Sequence, residues 1–184
     1  MFEEIRDCKK CNLYCNQLPL IDTKDKADVF FVGLSAKIIK EKGDIPLSSN
    51  TNSGMIIKKI EDLLKPISIY RTNLVKCVPL DEKDKLRYPA KGEINSCINN
   101  LICEINTIKP KIVFLLGEKV TSAVENYSNI NFDKWDDFNY KYKMLNDVYY
   151  VPIHHPSYIY VYKKKQIEEY VIAVKDVVNL ILNT

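Results

Sequence analysis

The chain has 184 residues, 46% hydrophobic and 28% charged, which suits a single core of ordinary size. Its formal net charge of +3 permits a nucleic-acid partner without demanding one, and no stretch approaches the roughly 18 apolar residues of a membrane span. The opening MFEEIRDCKKC lacks a signal-peptide apolar region, so a cytoplasmic, monomeric protein is expected, whose six cysteines serve metal or catalysis rather than disulfides.

Taken in chain order, the first chemical signal is Cys8-x-x-Cys11, a spacing that lets two thiolates reach one metal. Val29-Phe30-Phe31-Val32 then reads as a buried strand ending at Gly33. A loop follows, and its stretch 46–54, P-L-S-S-N-T-N-S-G, opens a helix. Ser53 is expected to cap it, and Met55, Ile56, Ile60, Leu63 and Leu64 share one face. Such an opening either binds phosphate or polar ligands through free N–H groups or serves only as a loop and cap. A second strand runs over 67–75, and Cys77 stands just beyond it. Ile94, Ile98, Leu101, Ile102 and Ile105 give helical spacing before Pro110, with Cys97 inside that segment. Ile112 to Leu116 form a third strand ending at Gly117, a helix follows, and a fourth strand over 148–153 leads to His154 and His155, the only histidines. A final helix is expected over about 166–182.

Strands alternating with helices of this length predict βαβ units. The expected fold is a single α/β domain spanning 1–184, a three-layer α/β/α sandwich around a central, four-stranded, mainly parallel sheet. Ligands of such sheets bind beyond the carboxyl ends of the strands. Here those ends are Gly33-Leu34-Ser35-Ala36, Asn73 to Cys77, Gly117-Glu118-Lys119 and His154-His155-Pro156-Ser157. Cys8 and Cys11 need two further ligands; Cys77 and Cys97 are candidates, Cys15 and Cys103 competitors, and spacing alone does not separate zinc from iron–sulfur.

Five segments in one order carry a resemblance: C-K-K-C-N-L at 8–13, T-N-L-V-K-C-V-P at 72–79, E-I-N-S-C-I-N-N-L at 93–101, P-K-I-V-F-L-L-G at 110–117 and H-P-S at 155–157. Over about residues 8–160 the chain resembles the iron–sulfur branches of the uracil-DNA glycosylase superfamily, nearest the thermostable family-four type. The resemblance implies that Cys8, Cys11, Cys77 and Cys97 ligate a [4Fe–4S] cluster that pins segment 8–15 and loop 77–97. It also implies that His155 stabilises charge on the departing base, that Ser157 contacts a phosphate, and that Asn73 reads the base. Cleaving a glycosidic bond needs such a donor at the base carbonyl and a group that orients water.

Base flipping needs a wedge and a grip on the backbone. Tyr158, Ile159 and Tyr160 are candidate wedges; Lys163 and Lys164, with Lys165, could neutralise phosphates or simply solvate a helix turn. The loop after the first strand departs from the resembled pattern. Leu34 stands where that family has an acid, and Leu47 where it has a ring that stacks on the base. Gly33, Leu34, Ser35 and Leu47 are therefore expected around the base, Ser53 near DNA, and Glu41, then Asp44, beside the attacking water. The implied activity is hydrolysis of the N-glycosidic bond of a flipped uracil or modified pyrimidine in single- or double-stranded DNA. The rival readings are a catalytically silent DNA-binding protein of the same fold, a glycosylase for bulky phage-modified bases, and a zinc-stabilised protein.

Overall fold

Strands of Val, Ile, Phe and Tyr separated by amphipathic helices can bury every apolar face only by stacking helices on both sides of one sheet. The computed structural model, which describes residues 2–39, 41 and 43–183, shows that arrangement. Its elements are α1 (Phe2–Arg6), β1 (Val29–Ser35), α2 (Asn52–Leu64), β2 (Ile69–Val75), α3 (Lys91–Ile108), β3 (Ile112–Leu116), α4 (Glu118–Ser128), β4 (Lys143–Leu145), β5 (Val148–Ile153), α5 (Pro156–Tyr162) and α6 (Ile167–Leu182). The described strands form one sheet of order β2-β1-β3-β5-β4. The four expected strands are mutually parallel. The fifth, β4, extends the edge antiparallel to β5. Only three residues long, it carries too short an alternation to be read from sequence.

Alternate residues of each strand feed opposite layers. Phe31, Phe114 and Val151 face a core formed with Ile56, Ile57 and Ile60 of α2 and Tyr170 and Val174 of α6. Phe30, Val113 and Tyr150 face Leu101 and Ile105 of α3 and Val120 of α4. The rings of Phe31 and Phe114 stack across β1 and β3 with centroids 5.0 Å apart. The cap of α2 falls to Thr51 rather than Ser53: the Gly54 N–H donates to Thr51 Oγ1 at 3.0 Å, and Ser53 lies inside the first turn. The segment before β1 is tied to the end of β2, with Leu20 N–H donating to the Lys76 carbonyl at 2.8 Å and Asn16 Nδ2 to the Val78 carbonyl at 2.9 Å. No described helix is long and apolar enough to cross a membrane.

Candidate active site

The parallel strands deliver the ends of β1, β2, β3 and β5 to one edge, and a cleft of about 970 Å³ opens there. Leu34, Ser35, Asp44, Leu47, Asn73, Gly117, His155 and Ser157 all line it. Two glycines set its geometry. Gly33 pairs in register with Asn73, and a Cβ on Gly33 would sit 2.4 Å from Asn73 Oδ1, so only glycine leaves room for that amide. Gly117 has φ +87°, and a Cβ there would meet the His155 Cβ at 3.1 Å.

His155 caps α5. Its Nδ1 accepts from the Ser157 N–H at 3.1 Å, with Ser157 Oγ 2.7 Å away. Because the backbone N–H can only donate, Nδ1 is the acceptor and the ring proton resides on Nε2. Burial, and then the Lys37 cation, push the His155 pKa down to about 4, so the imidazole is neutral near pH 7. His154 has a different setting. Its Nδ1 lies 2.9 Å from the Tyr140 hydroxyl, its carbonyl accepts from Tyr170 at 2.9 Å, and its ring stacks on Tyr158 at 5.6 Å.

Leu47, in the position expected to hold a ring, borders the cleft with φ +54°, a conformation that costs a branched side chain energy. Its carbonyl is held by Arg71 at 2.7 Å, and Arg71 is itself clamped by both oxygens of Glu61. Of the two expected acids, Asp44 lines the cleft, and its carboxylate accepts from Ser48 Oγ at 3.4 Å and the Glu41 N–H at 3.2 Å. The Glu41 side chain is exposed and outside the cleft lining, which corrects its placement beside the reacting centre: the loop turns it outward, and only its backbone reaches Asp44.

The wedge residues are also corrected. Residues 156–162 form a helix, so positions three and four apart share a face, whereas in an extended chain 158 and 160 would. Ile159 is fully buried in the core, and Tyr160 is half-buried against it with the Lys164 ammonium 5.3 Å from its ring centroid. Tyr158, Val161 and Tyr162 line the cleft instead. Lys163 pairs with Asp137 and lies over the Phe138 ring, so its charge is already answered by protein; Lys164 remains exposed. Ser53 is buried with its hydroxyl unpartnered, and it borders the same cleft.

At the back of the sheet edge, Cys8, Cys11, Cys77 and Cys97 ring one small cavity, with Cys15 and Cys103 outside it. Among the described residues no group of three or more His, Cys, Asp or Glu side chains is placed to hold a single metal ion. The four thiols surround a space rather than converge on a point, and N–H groups face the sulfurs: Lys76 N–H to Cys97 at 3.4 Å, Asn100 Nδ2 to Cys8 at 3.5 Å. A soft, all-sulfur set with donors to its sulfurs is the chemistry a polynuclear iron–sulfur group requires. Burial, then the neighbouring cysteines, push the Cys77 thiol up to about 12, so this thiol is not a ready nucleophile.

Between that cavity and the cleft lies a buried network that sequence reasoning missed. The Lys76 ammonium donates to Glu104 Oε2 at 2.5 Å, Thr72 Oγ1 at 2.6 Å and the Asn73 carbonyl at 2.7 Å. Glu104 also accepts from Thr72 and Tyr70, and burial and this carboxylate hold the Tyr70 phenol far above its usual range. A lysine just past the end of β2 would have been the signal only had Glu104 been paired with it; the two are 28 residues apart. Tyr88, between Arg87 and Pro89 in a polar loop, also lines the cleft, and no periodic pattern around it points there.

A family model described as the Uracil DNA glycosylase superfamily matches residues 21–178. Curated relatives named type-4 uracil-DNA glycosylase come from Saccharolobus solfataricus (26% identical, covering 84% of this chain and 73% of the relative) and Archaeoglobus fulgidus (25%, covering 91% and 84%). Another from Thermotoga maritima is 24% identical, covering 85% of this chain and 80% of its own length. The crystal structure of wild-type SMUG2 from Pedobacter heparinus shares the fold with a TM-score of 0.57 at 13% identity, covering 86% of this chain and 77% of that one.

Proposed function

The chain belongs to the uracil DNA glycosylase superfamily, and from that premise we propose that it hydrolyses the N-glycosidic bond of a flipped uracil in DNA. The observation that carries this reading is a neutral His155 with its proton on Nε2, in the same cleft as the amide of Asn73 over Gly33. The N1–C1′ bond breaks with its electron pair going to the base. The His155 N–H stabilises the charge that gathers on the base carbonyl, as a donor fixed in advance of the reaction. Asn73 pairs with the base edge. Water adds its hydroxyl to C1′ and passes its proton to Asp44. Ser157 and Lys164 hold flanking phosphates.

Cys8, Cys11, Cys77 and Cys97 hold a [4Fe–4S] cluster in this reading. Its part is to fasten residues 8–15 to the loop after β2. A brown preparation absorbing near 400 nm supports the cluster, and a colourless one with stoichiometric zinc overturns it.

Leu47 supports a second reading. A cleft of about 970 Å³ with Leu47 at the place expected to hold a stacking ring suits a pyrimidine with a bulkier, modified face. The test is one panel of oligonucleotides carrying uracil or modified pyrimidines, treated with alkali to cut abasic sites. Cleavage at uracil is expected. Cleavage only at modified bases moves the assignment to the second reading, and silence on every substrate with retained DNA binding leaves a non-catalytic DNA-binding protein.

A further inference from the structure

We propose that the rim of the cleft is a stacking clamp for unpaired nucleotides on both sides of the flipped base, making single-stranded DNA the preferred form of the substrate. This rests on the glycosylase reading and goes beyond it by naming the strand state.

Two exposed aromatic banks flank the cleft. On one side α5 presents Tyr158 and Tyr162, 42% and 74% exposed, with ring centroids 5.2 Å apart; Tyr158 in turn lies parallel to His154. On the other side stands Tyr88, 71% exposed, with the Lys119 ammonium 4.6 Å from its ring centroid. All of these residues line the same cleft as His155 and Asn73. Tyr88 is carried on a fixed loop: Arg87 beside it grips both oxygens of Glu93 on α3 and donates to the Leu80 and Tyr88 carbonyls.

Exposed apolar surface at the mouth of a site marks a binding face, and rings with cations beside them suit nucleobases and phosphates together. The arrangement of rings selects the strand state. In a duplex each base is covered on both faces by its neighbours, and flipping one base vacates a single gap that takes a single wedge. Three exposed rings on two separate elements have more face than one gap can use. Bases of an unpaired strand offer a free face to each.

The test uses the holoprotein and a fluorescein-labelled, uracil-free 15-mer, single-stranded or annealed to its complement, at equal salt. Wild type is expected to bind the single strand at least about tenfold more tightly than the duplex. Tyr88→Ala and Tyr162→Ala are each expected to weaken single-strand binding by about tenfold while changing duplex binding little. Tyr88→Phe and Tyr162→Phe, which keep the ring, should restore it. A 2-aminopurine in the single strand should lose emission on binding wild type, and keep it with the Ala variants. Equal affinity for the two forms, or equal losses on both, overturns the clamp. Because the oligonucleotide contains no uracil, a protein that shows this binding pattern yet never releases a base would overturn the activity and leave the clamp standing.

Discussion

His155 is neutral because two things happen at the end of β5: its ring is buried, and its Nδ1 lone pair is committed to the Ser157 N–H. Protonation would place a cation in that burial and next to Lys37, so the folded pKa of about 4 lies below the ordinary 6.5. The unfolded chain then takes up its proton first as the pH falls. The stabilisation is complete above about pH 6.5 and is lost between there and about pH 4, with an upper magnitude of about 3 kcal/mol. Urea midpoints at pH 7 and pH 4.5 check this: wild type should lose more stability on acidification than His155→Gln, which has no imidazole to charge. In the proposed reaction His155→Ala should lower single-turnover base release by about 10²–10³-fold, the usual cost of one donor to a developing oxyanion. The wild-type rate should show no inflection near pH 6.5. Such an inflection would mean that a free, solvated histidine is in use.

At the scale of elements, β2 and α3 are joined by charge as well as by apolar packing. Lys76 and Glu104 are fully buried and paired, and the same ammonium holds the Asn73 carbonyl. Breaking one side of such a pair costs about 3–5 kcal/mol, whereas replacing both by apolar residues of similar size is often neutral. Lys76→Met should therefore be strongly destabilised in urea. The double variant Lys76→Met with Glu104→Met should regain most of that stability. It should not regain discrimination between uracil and thymine, because the Asn73 carbonyl would have lost the ammonium that holds it. Recovery of both properties together would reduce the pair to a structural tie. This logic was invisible in the sequence, where nothing links a lysine beside Cys77 to a glutamate 28 residues away inside an amphipathic helix. The same scale explains why the wedge residues were misplaced. Tyrosines alternating with Ile and Val around 158–162 suggest an extended chain, but Pro156 at the first turn and the His155 cap start a helix and rotate Ile159 into the core.

For the whole molecule, the strands and main helices were legible because each carries a strong period, and some are bounded by a glycine or proline, as at Gly117 and Pro110. The positions of Asn73 and His155 followed from the rule that sites gather at the carboxyl edge of a parallel sheet. What sequence could not supply was the path of loops without period: the turn that carries Glu41 away from the cleft, and the loop that brings Tyr88 to it. The thiol corner gives a prediction at this scale. In the cluster reading, oxidative bleaching should lower the melting temperature and release amide protection over residues 8–20 and 76–90, with β1 and β3 still protected. Cys15→Ser, outside the cavity, should leave colour and melting unchanged. An unaltered melt after bleaching would show that the Leu20–Lys76 and Asn16–Val78 hydrogen bonds suffice without it.

Gly33 and Gly117 stand within a few ångströms of the groups proposed to read and release the base, and the addition of one carbon at either would press on Asn73 or His155. In a library containing every single substitution, these two positions should therefore score beside the histidine itself, although neither has a side chain to contribute. The chain's freedom to diverge lies elsewhere, along the loop with Leu47 and the outer rings, where size can change without moving the reacting groups. A family drifting toward new bases would keep its bare backbone at these two points and alter everything around them.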